Sequence, residues 1–341
     1  MNSEKLLRGM TAIRIAALPS PRLGTTLAPR EFSGVGALVL LWVVFACIAP
    51  SFTSPVNMAN VLSQSADLLV LSLGQMLVIV TRGFDISVGS IAVLASMVGA
   101  QAALRFGDTA AIGAALVTGL AFGTINGYLI AYRRIEPIIA TLGTALVARG
   151  LATAASCGAD ALLLPSSSGL HALAYRTWLG LPALMVCALP LLFLAWWLAA
   201  RTPLGRWLYM IGSHADAARL VGVPVRRARL AAYVLCGGCA GVAGVLLLAR
   251  SGSAVAVDGN GMELQAIAAC VIGGISLMGG QARVWQVVAG ALFIQALLNG
   301  LNLTGASPFM SECVLGLIIV ISGSIDFLIR QFQHAFPARK V

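Results

Sequence analysis

Ile211-Gly212-Ser213-His214-Ala215-Asp216-Ala217-Ala218-Arg219-Leu220-Val221-Gly222 sits in a polar, basic island, Arg201 to Arg229, within a chain that is otherwise almost continuous apolar helix. That contrast sets the architecture, because everything outside the island must hide its side chains in something other than water. Of 341 residues, 59% are hydrophobic and 10% charged, and the mean hydropathy is +0.93. A water-soluble chain of this length cannot enclose so much apolar surface, so the lipid bilayer is its solvent. Ten apolar stretches are long enough to cross, at 35–50, 60–80, 87–104, 110–131, 137–156, 181–200, 229–249, 264–280, 285–303 and 309–329. They predict an all-α polytopic bundle of about ten transmembrane helices. The first, third and eighth are short or interrupted, which leaves nine or eleven crossings open. The 37 glycines suit helices that pack backbone to backbone in lipid.

The net charge of +10 is distributed along the chain in a way that argues against a nucleic-acid partner. With a cytoplasmic amino terminus and ten crossings, eighteen Lys and Arg fall on the inner side. Only Arg105, Arg176 and Arg250 fall outside, while Arg149 lies within a helix. The basicity therefore sets orientation, with both termini cytoplasmic. Residues 1–33 read as an amino-terminal tail, 34–330 as the membrane domain with the inner loop 201–229, and 331–341 as a carboxy-terminal tail. A cleaved signal ending near Ala46-Cys47 would spoil the parity between helix count and charge bias. Cys236-x-x-Cys239 lies on one apolar helix between glycines, where packing explains it better than redox chemistry.

Enzymatic motifs are missing. There is no Walker A pattern, no G-x-S-x-G and no H-E-x-x-H, and none of the histidines 171, 214 and 334 has a partner at metal or triad spacing. No cofactor or metal is implied, and the chain cannot hydrolyse ATP by itself. Two stretches carry polar stripes instead. Gln64, Asp67, Ser72 and Gln75 span an arc of about 140° on the second. Gln295, Asn299 and Asn302 lie within about 60° on the ninth. Two such faces suit the path of a neutral polyhydroxylated solute, and equally suit helix-to-helix hydrogen bonding. Asp67, Arg149 and Glu312 are ionisable groups in or beside helices, readable as a proton relay or as a tie between Arg149 and one of the acids. Gly83-Phe84-Asp85-Ile86-Ser87-Val88-Gly89-Ser90 and Gly273-Gly274-Ile275-Ser276-Leu277-Met278-Gly279-Gly280 echo each other after two apolar helices. The echo fits either an internal duplication or chance in a glycine-rich chain.

Within the island, Thr202-Pro203-Leu204-Gly205 breaks the preceding helix, Arg206 to Gly222 is compatible with one helix, and Gly222-Val223-Pro224 stops it. Small Ala217 and Ala218 beside Asp216 offer a smooth face with a fixed exit at Gly222 and Pro224. A soluble subunit could seize such a knob. Trp207 and the basic residues also suit an ordinary amphipathic helix at the membrane surface.

Leu77-Val78-Ile79-Val80-Thr81-Arg82-Gly83-Phe84-Asp85-Ile86-Ser87-Val88-Gly89-Ser90 resembles the signature of ribose-type ABC sugar permeases, usually written with two glycines where this chain has Arg82-Gly83. Gly123-x-x-Asn126-Gly127, residues 137–144, Arg149-Gly150, residues 216–223 and residues 271–280 look like the same family, collinearly over about 60–330. The resemblance implies the following. The chain is a permease of the bacterial inner membrane, paired with a second permease copy, identical or related. Two ABC ATP-binding subunits dock at Asp216, Ala217, Ala218, Gly222 and Pro224. A periplasmic sugar-binding protein delivers a monosaccharide. Gly83, Asp85, Ser87, Gly89 and Ser90 form the signature turn. Asp216 stands where the family usually has Glu, and Arg82 puts the shape of the turn in doubt. An ion-coupled secondary transporter using Asp67 and Glu312 is the competing reading.

Overall fold

The computed structural model describes residues 32–335, with side chains as far as residue 324. Residues 1–31 and 336–341 of the expected tails lie outside the described residues. The helices run α1 (Ser33–Ile48), α2 (Pro55–Val80), α3 (Val88–Phe106), α4 (Asp108–Ala131), α5 (Pro137–Ala155), α6 (Gly169–Leu173) and α7 (Ala183–Arg201). They continue as α8 (Pro203–Ser213), α9 (Ala215–Leu220), α10 (Val225–Ser251), α11 (Met262–Ile272), α12 (Val284–Leu303) and α13 (Pro308–Ala335). The described residues are helical apart from four two-residue strands and the connecting loops, with one short 3-10 helix at Pro50–Thr53. Among the described residues seven helices, α2, α3, α4, α5, α7, α10 and α12, are long and apolar enough to cross a membrane. α1, α11 and the first part of α13 are shorter apolar helices, so each of the ten apolar stretches finds a helix.

α2 and α10 form the centre, and α10 packs on α4, α2 and α3. The α4–α10 seam is made by glycines. A Cβ on Gly119 would lie 2.7 Å from Gly241 N, and one on Gly237 2.7 Å from Gly123 Cα. Backbones that touch in this way gain dispersion contacts which lipid cannot match. α5 and α7 turn Leu146, Val147, Phe193 and Trp197 outward, as lipid-facing helices do. Cys236 and Cys239 are both free and pack against Gly74, in keeping with the packing reading.

Two local expectations change, and one long loop is fixed in place. The eighth stretch, 264–280, is helical only to Ile272. At 1.5 Å per residue, α11 is roughly 16 Å long, about half the thickness of the hydrocarbon core. Positive φ at Gly274, Gly279 and Gly280 carries the chain onward without helix. The island is two helices rather than one, because His214 is extended (φ −157°, ψ 99°) between α8 and α9. The long loop after α5 is ordered: Asp108, opening α4, accepts hydrogen bonds from Ser168 Oγ (2.7 Å) and from the backbone N–H of Gly169 (2.6 Å) and Leu170 (3.3 Å).

Candidate functional site: the α8–α9 arm and the helix break beside it

α2 ends at Val80, and the chain does not resume a helix until Val88. This break lies inside the bundle. Tyr233 donates its hydroxyl to Phe84 O (3.2 Å) from a position eight residues into α10, about 12 Å from the start of that helix. Non-helical backbone at that depth must be satisfied by protein, and it is. Asp85, Ser87 and Asn126 are fully buried. One Asp85 carboxylate oxygen accepts from Ser87 N (2.9 Å) and from Ser87 Oγ. Asn126 Nδ2 donates to Ser87 Oγ (2.8 Å), and Thr144 Oγ1 donates to Asn126 Oδ1 (2.7 Å). The network joins the break to α4 and α5. Gly89 and Ser90 have separate tasks. A Cβ on Gly89 would collide with the Glu263 carboxylate and lie 2.9 Å from Glu263 N, so glycine is what lets α11 begin there. Ser90 Oγ accepts from Arg149 Nε (3.0 Å), and Arg149 Nη2 pairs with Glu263 at 2.8 Å.

Arg82 takes φ +63°, a left-handed conformation that costs a non-glycine residue about 1–2 kcal/mol. This explains why the resembled family writes glycine at the position. Here the arginine side chain is used: Nε donates to Gly212 O (2.6 Å) and Nη2 to Ser213 O (2.8 Å). Gly280 N donates to Val80 O (2.9 Å), and Tyr209 OH donates to Ala282 O (2.9 Å). A Cβ on Gly212 would overlap Val80 O and lie 2.5 Å from Gly280 N. The end of α2, the end of α8 and the loop 279–282 thus meet at one joint. Gly279 and Gly280 of the second echoing segment lie there beside Val80 and Arg82, just ahead of the first.

α9 hangs from that joint. Asp216, Ala217, Arg219, Leu220, Val221 and Gly222 are exposed, with Leu220 at 89%. Ala218 is 2% exposed and packs into its own subunit, so its small size serves internal packing rather than an outward face. Pro224 is half-buried, and Gly222 takes φ +84° at the exit.

The polar stripes do not share one environment. Asp67 is buried and ion-paired with Arg250, at 2.9 Å from Nη2 and 3.2 Å from Nε. Asn299 exchanges hydrogen bonds with Asn57 (2.8 and 3.0 Å), tying α12 to α2. Gln64 and Gln295 are half-buried, and Asn302 is exposed. Gln75 is fully enclosed, and neither of its amide atoms has a partner among the described residues. Arg149 pairs with Glu263 rather than with Asp67 or Glu312, and Glu312 is exposed. Sequence reasoning missed Glu263, Arg250 and Asn57. A carboxylate at the edge of the eighth apolar stretch was the one available signal.

A family model described as "Branched-chain amino acid transport system / permease component" matches residues 57–323. The chain is 38% identical over 303 residues to the "Probable ABC transporter permease protein y4mJ" of Sinorhizobium fredii, covering 87% of this chain and 89% of that one. It is 35% identical over 298 residues to the ribose import permease protein RbsC of Escherichia coli, covering 85% and 91%. To the D-allose transport system permease protein AlsC of Escherichia coli it is 33% identical over 303 residues, covering 86% and 90%.

Proposed function

The chain belongs to the branched-chain amino acid transport system / permease component family, the non-catalytic membrane subunits of ABC transporters, and from that premise we propose its particular task. It moves a monosaccharide or a related small polyhydroxylated solute into a bacterial cell. A periplasmic binding protein delivers the solute, two permease copies form the path, and ATP-binding subunits dock on the cytoplasmic face. Relatives named for ribose and D-allose, at 33–35% identity over most of both chains, favour a sugar over the amino acid in the family's description. The charge asymmetry supports cytoplasmic termini and a cytoplasmic loop 201–229.

One observation carries the docking assignment: Leu220, the last residue of α9, and Val221, directly after it, are 89% and 57% exposed to solvent. Apolar side chains on an otherwise basic arm await a partner groove, and burying them supplies roughly 2–3 kcal/mol each. Asp216 and Arg219 pair at 3.2 Å and flank this tip. Closure of the ATPases would displace α9, and the membrane helices would change state in response. An ion-coupled carrier is less well supported, because Asp67, its best proton acceptor, already has Arg250 as counter-ion. Leu220→Asp with Val221→Asp tests docking. The ATP-binding subunit should bind the variant at least about tenfold more weakly while the permease melts at its usual temperature. Unchanged affinity would remove α9 from the contact.

A further inference from the structure

We propose that Arg82 is a positioning residue that ties the coupling arm to the intramembrane helix break, so that displacement of α9 reaches the turn carrying Asp85, Ser87, Gly89 and Ser90. This rests on the reading of α8–α9 as the ATPase-docking arm. Gly212 and Ser213 are the last two residues of α8, where backbone carbonyls lack helical partners and the helix dipole is negative. A guanidinium is suited to that end, because it offers a rigid fork of donors. Arg82 places Nε on Gly212 O (2.6 Å) and Nη2 on Ser213 O (2.8 Å). Only His214 separates these carbonyls from α9.

On its other side, Arg82 is covalently part of the break. Three residues on, Asp85 enters the buried network with Ser87, Asn126 and Thr144, and Ser90 joins Arg149 and Glu263. A push on α9 therefore meets a hydrogen-bonded chain into α3, α4, α5 and α11. Glycine at position 82 would accept φ +63° without strain, yet could not reach α8. The strained arginine adds a link that the backbone turn alone lacks. The hydrogen bond from Gly280 N to Val80 O ties the end of α2 to the loop 279–282 rather than to α8, and it remains when the side chain is removed.

The test uses the assembled complex of permease, ATP-binding subunits and binding protein, so no knowledge of the solute is required. Hydrogen–deuterium exchange is followed at residues 81–90 and 215–222, without nucleotide and with ATP plus vanadate. In the parent complex both segments should respond to nucleotide. In Arg82→Gly, 215–222 should respond as before, while the nucleotide-dependent change at 81–90 falls at least about tenfold. Arg82→Lys, which keeps a cation at the end of α8, should recover part of it. A purely structural role predicts faster exchange at 81–90 without nucleotide and an undiminished response to it. An undiminished response in Arg82→Gly overturns the proposal. If Arg82→Gly does not assemble, Arg82→Gln is measured with the same two outcomes. If 215–222 is unaffected by the ATP-binding subunits in the parent complex, docking on α9 is what fails.

Discussion

Replacing Asp67 by Asn distinguishes a solute path from a structural tie. The Asp67 side chain is 3% exposed, and it accepts Arg250 Nη2 at 2.9 Å and Nε at 3.2 Å. Its other oxygen accepts Leu68 N at 2.8 Å. Removing one partner of a fully buried ion pair costs about 3–5 kcal/mol. Arg250, however, is 34% exposed in its side chain and stands in the last turn of α10, where its long stem can carry the charge toward water. About half the full cost therefore applies, roughly 1.5–2.5 kcal/mol. Scanning fluorimetry of the purified permease should show Asp67→Asn melting roughly 3–6 °C lower. Asp67→Asn combined with Arg250→Gln should regain more than half of the loss, since no charge is then left unpaired. Uptake per correctly folded molecule should be unchanged. An unmoved melting temperature together with a raised KM for solute would refute the tie and return Asp67 to the path.

Two further substitutions test packing and anchoring. Gly119→Leu would drive a Cβ to within 2.7–2.8 Å of Gly241 N and Cα, so folded yield should collapse, whereas Gly113→Leu, with open space around it, should be neutral. Glu263→Gln removes the charge that half-exposed Arg149 faces at 2.8 Å, a loss of about 1 kcal/mol. Amide exchange at residues 255–261 should rise about fivefold.

The membrane bundle was legible because hydropathy and length act over about twenty residues, and each of the ten apolar stretches contains a helix. The break after α11 was signalled by the glycines of 273–280, which follow an apolar helix and interrupt the eighth stretch, whereas its start directly after Ile272 was not, because Ile275, Leu277 and Met278 continue the apolar run. Likewise nothing in the composition of 206–222 marks His214 as the point where one helix becomes two. Ala217 and Ala218 are indistinguishable in sequence, yet one faces solvent and the other the core, because a six-residue helix has too few positions to show a periodic pattern. The partners of Asp67 and Arg149 lie 183 and 114 residues away, beyond any local spacing rule. Arg250 was read as belonging to an outer loop because the 27-residue length of α10 could not be foreseen. The family resemblance, by contrast, rested on many collinear motifs, and the matches over residues 57–323 bear it out.

Dependence of transport on the soluble subunits is measured as accumulation of radiolabelled ribose and D-allose by liposomes, with the permease alone compared against the permease plus ATP-binding subunits and binding protein. Accumulation of at least one of the two sugars is predicted only for the full set, and only with ATP on the face that carries residues 215–222. Uphill transport by the permease alone under a proton or sodium gradient would contradict the account.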